Sequence, residues 1–148
     1  MSKAESADLI LKLYETRRES VMREARNWMS GFTPESAEDL MKTMLNEQAS
    51  TYFRMVTSYW DMAASFVNYG AIDEEMFNDA NGEHIFIFSK IEPFLEEIRQ
   101  TTDNPNYLGN LEKLVMKMPN AKEMLAKRRE MMKRWTEARK EAAATTQV

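Results

Sequence analysis

The sequence predicts an all-α fold, a compact bundle of five to seven helices. Three observations predict it. Only 4 Gly and 4 Pro interrupt 148 residues, against an average combined usage of roughly 12%. The chain holds five Val and six Ile, too few β-branched residues for a sandwich or barrel, while Ala, Leu, Met, Glu, Lys and Arg abound. Apolar residues recur at helical spacing along most of the length. With 43% hydrophobic and 30% charged residues, the composition is that of a globular chain, and no stretch approaches the roughly 18 apolar residues of a membrane span.

Taken in order, Ser6 reads as an N-cap, and Ile10, Tyr14, Val21, Ala25 and Trp28 share one face of a first helix that ends near Gly31. Thr33-Pro34-Glu35 reads as a cap, a proline at the first helical position and an acid in the first turn. A short helix then runs through Leu40, Met41, Met44 and Leu45 to about Asn46. The central helix is expected over 47–69. There Ala49, Tyr52, Val56, Tyr59, Trp60, Ala63, Phe66 and Val67 cover an arc wide enough for two neighbours, with Arg54, Asp61 and Asn68 opposite. Gly70 supplies its stop.

Asp73-Glu74-Glu75 opens a further turn or two, and Asn81-Gly82 turns the chain. The run His84-Ile85-Phe86-Ile87-Phe88 has strand propensity, but no second such run exists to pair with it, so it is read as helix. Pro93 must kink that helix or break it. Thr101 to Asn106 is a loop, Leu108 to Met118 a short helix stopped by Pro119, and Asn120 caps a long C-terminal helix over about 121–143. Residues 144–148 are expected to fray. No repeat or low-complexity linker divides 1–148, so a single helical domain is expected.

Charge is uneven. Residues 121–148 carry eight Lys or Arg against four Glu, a net of plus 4, whereas residues 1–120 carry a net of minus 8. On the last helix Lys122, Arg129, Lys133 and Lys140 line one flank and Glu123, Glu130, Glu137 and Glu141 the other, with Glu123 to Lys127 and Glu130 to Arg134 spaced for ion pairs. The interleaved acids count against a nucleic-acid or acidic-membrane contact. A helix with an apolar stripe of Met124, Leu125, Met131, Met132, Trp135 and Ala138 resembles one that docks on another helix, with docking inside its own chain the default and a dimer interface the second reading.

No catalytic, cofactor-binding or metal-binding residues emerge. Zero Cys excludes disulfides, thiolate metal sites and Cys nucleophiles, and points with the polar N-terminus to the cytoplasm. Placing Gly82 at position six of a calcium loop puts Phe77 at position one and Phe88 at position twelve, which fails. A di-metal carboxylate bundle needs two Glu-x-x-His units, and the only histidine is His84. His84 shares a face with Phe88, Ile91 and Leu95, where a hydrogen-bonded core or half-buried histidine is the first reading and a ligand or general base the second. Arg17, beside Arg18, and Arg128 lie within or beside apolar stripes. Either their stems cover apolar surface while their heads reach water or a carboxylate, or they hold an anionic group. Thirteen Met are core filler first and a re-packable recognition face second.

Tyr59-Trp60-Asp61-Met62-Ala63, Tyr69 to Phe77, Phe88 to Arg99 and Asn104 to Glu112 together resemble a bacterial all-helical family that is a domain of unknown function, over roughly residues 50–115. The resemblance implies a long helix ending in Gly, then a helix with an internal Pro and a terminal Arg. It implies no activity. The basic last helix lies outside it.

The leading reading is therefore a non-enzymatic helical protein that docks on another helical protein or on itself, with Arg17, Arg128, Met131, Met132 and Trp135 as candidate surface. The alternative is a small-molecule-binding domain with an apolar pocket between Tyr52–Val67 and Phe88–Ile98. A nucleic-acid or acidic-surface contact through the last helix is third.

Overall fold

The chain is organised around one helix. In the computed structural model, which describes residues 2–146, this is α4 in a series of nine α-helices, with no strand among the described residues: α1 (Lys3–Thr16), α2 (Ser20–Gly31), α3 (Ala37–Leu45), α4 (Glu47–Asn68), α5 (Glu74–Ala80), α6 (Glu83–Ile91), α7 (Leu95–Thr101), α8 (Gly109–Met116) and α9 (Ala121–Thr146). A 3-10 turn, Glu92–Phe94, separates α6 from α7. The all-α expectation holds, and two breaks raise the number of segments above seven.

The Asn46 side chain accepts from the Ala49 amide at 2.9 Å to open α4. Gly70, at φ 81°, closes it. The Gly70 amide donates to Val67 and the Ala71 amide to Phe66, so the last carbonyls are satisfied in a left-handed cap that glycine adopts without strain. Phe53, Val56, Trp60, Ala63, Ala64 and Val67 are buried along it, and α2 and α8 pack on it most extensively, with α3 and α5 beside them.

The His84–Phe88 run is helical, and α6 shows why it looked like a strand. It lies between α8 and α9 with His84, Ile85, Ile87, Phe88, Ser89, Lys90 and Ile91 all buried, and a helix covered on most sides is apolar nearly all round. Pro93 breaks the helix, the chain restarting as α7 after one 3-10 turn.

The first helix differs from expectation. It is divided at Arg17–Glu19, where the Glu19 carboxylate accepts from the Val21 and Met22 amides and caps α2. A helical wheel run through that break averages two axes. The buried face of α2 is accordingly Met22, Ala25 and Met29, while Tyr14 and Val21 are each 45% exposed. The true N-cap of α1 is Ser2, in a reciprocal box with Glu5. Ser6 instead is buried, its hydroxyl accepting from the Asp73 amide at 3.0 Å. Likewise Ser36, not Thr33, caps α3.

The polar side of α4 is not solvated throughout. Asp61 Oδ1 accepts from the Leu111 amide at 2.9 Å, and Asn68 Nδ2 donates to the Asn110 carbonyl at 3.0 Å. The residue preceding α8 is Leu108, at φ 55° and without a side-chain acceptor, so Asp61 caps α8 from a neighbouring helix. Asp61→Ala is expected to cost about 1 kcal/mol in urea unfolding, the ordinary value of a lost cap. Arg99 pins the preceding loop by donating twice to the Tyr107 carbonyl and once to Glu112.

Helix α9 runs to Thr146, while residues 147 and 148 of the expected frayed tail lie outside the described residues. It packs on α6 through its first half. Ala121 and Leu125 are buried, and from Glu137 to Thr146 every residue is exposed. Thr136, Glu137 and Lys140 still line a groove of about 710 Å³ with Thr33, Glu35, Pro93 and Phe94, so at 1.5 Å per residue the part beyond Lys140 extends about 9 Å past that groove.

Candidate functional site

Polar side chains converge at the junction of α1, α2, α4 and α6. Arg26 Nε donates to both carboxylate oxygens of Glu83 at 3.0 Å and Nη2 donates to Oε1 at 2.9 Å. Trp60, 1% exposed, donates its Nε1 hydrogen to Glu83 Oε2 at 2.8 Å. The Tyr59 hydroxyl donates to the Leu13 carbonyl, and burial pushes the phenol up to about 12 despite the opposing charges of Arg17 and Arg26. Arg17 Nη1 donates to Asn81 Oδ1 at 2.9 Å, with its guanidinium 4.9 Å from the Tyr14 ring and 5.5 Å from that of Trp60. Its head thus meets an amide and two rings, not a carboxylate. Each member has a partner within the chain, which makes this a fastening of four helices.

A cleft of about 450 Å³ opens beside it, lined by Arg26, Met29, Glu83, Phe86, Lys90 and Met132 among others. Lys90, 6% exposed, donates from Nζ to the Met29 and Ser30 carbonyls at 2.6 and 3.2 Å. A cation on the last carbonyls of α2 satisfies orphan acceptors and the helix dipole, and burial pulls its amine down to about 8. Through Val56 and Lys90 this cleft touches both helices expected to bound a pocket, as does a smaller pocket of about 190 Å³ between Leu40, Met44, Phe53, Ile98 and Tyr107.

His84 departs from its expected character. It is 1% exposed, its ring 5.6 Å from that of Trp60 and 5.1 Å from that of Phe77, but among the described residues neither ring nitrogen has a hydrogen-bond partner. Desolvation first, and the Arg128 charge second, lower it to about 4. Arg128 lies with its guanidinium 4.9 Å from the Phe86 ring centre and its Nε buried without a partner. No contact among the described residues joins Arg17 to Arg128. No group of three or more acidic or histidine side chains among the described residues is placed to hold a metal ion.

The Met131, Met132, Trp135 stripe is split. Met132 turns toward the body and lines the cleft beside Lys90, whereas Met131 and Trp135 are 47% and 59% exposed. Met131 joins Phe86, Met124 and Arg128 along a groove of about 510 Å³, and Phe86 is itself 38% exposed. Of the ion pairs expected within α9, neither closes among the described residues. Arg129 instead reaches Glu92 at 3.5 Å and donates to the Ser89 carbonyl at 2.9 Å. The sequence reading missed Arg26, Glu83 and Lys90. Lys90 carried a signal, being a lysine between Ile87, Phe88 and Ile91 on an apolar helix.

Fold and polar clusters together define a helical domain tied by internal ion pairs and caps, with the long α9 packed along α6 and its last turns extending beyond Lys140. The chain belongs to a family described as a domain of unknown function, DUF4760, whose model matches residues 3–118. The resemblance seen over 50–115 lies within that match, and α9 begins after it ends. No curated protein matches the chain, and no solved structure does. No helix among the described residues is long and apolar enough to cross a membrane.

Proposed function

We propose that this chain is a non-enzymatic helical interaction module of the cytoplasm, and that it docks on another helix through the outward face of α9. One observation carries the reading: Trp135, the largest side chain of the helix, stands 59% exposed beside the 47% exposed Met131, on a face of α9 that its own body leaves open. An aromatic ring and a flexible thioether on the exposed face of a helix are side chains that anchor helix-to-helix contacts. The basic residues of α9 favour a protein over a nucleic acid as partner. Arg129 is engaged by Glu92, and Glu130, Glu137 and Glu141 interrupt the others.

The test separates a docking face from a structural one. Trp135→Glu is expected to change unfolding stability by less than about 0.5 kcal/mol, as for an exposed site, whereas Leu125→Ala is expected to cost about 2–4 kcal/mol. A loss above about 1.5 kcal/mol for Trp135→Glu would show that the ring serves the chain's own fold and would overturn the reading.

A further inference from the structure

Met131, Trp135, Ala138 and Ala142 lie four, three and four residues apart, the spacing of a coiled-coil seam. All four are exposed. Two bulky residues are followed by two small ones. Against this seam, Arg134 and Glu141 occupy one flank a heptad apart, and Met132 and Arg139 the other. Among the described residues Arg134, Arg139 and Glu141 form no ion pair.

We propose that the helix covering this seam is α9 of a second copy of the chain, lying antiparallel across a two-fold axis between Trp135 and Ala138. The proposal rests on the interaction reading of α9 given above. Two independent complementarities select this partner and this direction. With the helices antiparallel, Trp135 meets the second copy's Ala138 and Met131 meets its Ala142. Each of the four layers then pairs a large residue with a small one. In the same register Arg134 faces the second copy's Glu141, and symmetry makes that pair twice.

A parallel pair fails on both counts. It would oppose Trp135 to Trp135 and Ala138 to Ala138, setting two crowded layers beside two empty ones, and it would bring Arg134 toward the second copy's Arg139. The antiparallel overlap spans residues 127–146, about 30 Å of helix. Among the described residues it places the small side chains of Ala142 to Thr146 opposite the second copy's Met131 and the residues before it, beside the groove that holds Phe86.

The experiment is a charge exchange read by sedimentation equilibrium over a wide concentration range. The unaltered chain is expected to dimerise. Arg134→Glu and Glu141→Arg, each alone, oppose like charges twice per dimer and are expected to weaken association about tenfold or more. An equimolar mixture of the two variants restores both pairs, so a heterodimer of the original affinity is expected, as is a homodimer of the doubly exchanged chain. These positions are exposed, and unchanged far-UV dichroism with an unchanged Tm checks that each variant folds. A monomer at all concentrations, a dimer indifferent to the single exchanges, or a mixture that fails to recover affinity overturns the proposal. Those outcomes leave the interaction reading standing if Trp135→Glu is neutral to stability, and a destabilising Trp135→Glu defeats both.

Discussion

Replacing Glu83 with alanine is expected to remove about 2–4 kcal/mol of folding stability, more than any other single surface-reaching carboxylate in the chain. The Glu83 carboxylate accepts from Arg26 three times and from Trp60 once. Removing it strands both donors. The Trp60 ring is 1% exposed, so its N–H has no water to turn to, and an orphaned buried donor costs about 1–3 kcal/mol. Arg26 keeps only a long contact of 3.4 Å to the Arg17 carbonyl. Its side chain and that of Glu83 are 28% and 29% exposed, which places the ion-pair loss below the 3–5 kcal/mol typical of full burial, at about 1–2 kcal/mol. Glu83 is also the first residue of α6, where a negative charge favours the helix dipole.

Two controls separate these contributions in chemical denaturation. Glu83→Gln keeps an acceptor for Trp60 and is expected to recover about half the loss. Arg26→Ala combined with Glu83→Ala is expected to cost less than the two single changes added, because the second removal no longer strands a charge. A loss below about 0.5 kcal/mol for Glu83→Ala would mean that the junction is solvated and that the four helices are fastened by apolar packing alone.

This junction marks the limit of what the chain's letters convey. Local signals were legible: the terminal Gly70 of α4, the acidic entry to α5, and the break at Pro93 each act within a few positions, whereas Asn46, read as the end of the short helix, also caps α4. Caps and pairs that cross between helices were not. Asp61 and Leu111 are 50 residues apart and Arg26 and Glu83 57, and nothing in either neighbourhood distinguishes them from solvated charges. Helix α1 was misjudged for a related reason, since the cap at Glu19 works through backbone amides and leaves no break in the apolar pattern.

The candidate surface was legible by residue type and blurred by rotation. Met131 and Met132 are both apolar, yet one step along a helix turns a side chain by 100°. That is enough to put Met132 into the cleft beside Lys90 and Met131 into the open. Only the placement of α9 on α6 decides which faces inward. The same placement leaves Arg128 over Phe86 and brings its charge close enough to disfavour protonation of His84.

Acidification between pH 6.5 and 4 is accordingly expected to cost about 3 kcal/mol through His84 alone. In the unfolded chain the imidazole takes up a proton near its ordinary 6.5, whereas in the folded chain it stays neutral down to about 4. Between those values the unfolded state holds more protons, so stability rises with pH across the window and falls on acidification, by about 1.4 kcal/mol per pH unit where the difference is complete. Desolvation dominates, since neither nitrogen has a partner to share the charge. Arg128 acts in the same direction and Glu83 against it. The carboxyls of Asp73, Glu5 and Glu19 are held below their ordinary range by Lys3, Ser2 and backbone amides, so their contribution is also lost in acid. A comparison with His84→Phe removes them, because the variant retains all three. Phenylalanine keeps the ring between Trp60 and Phe77 and has no proton to gain. Urea unfolding of both proteins at a series of pH values should show the original chain losing about 3 kcal/mol more than His84→Phe across the window. Parallel curves would place a water or a polar partner on His84 and remove it from the acid response of the fold.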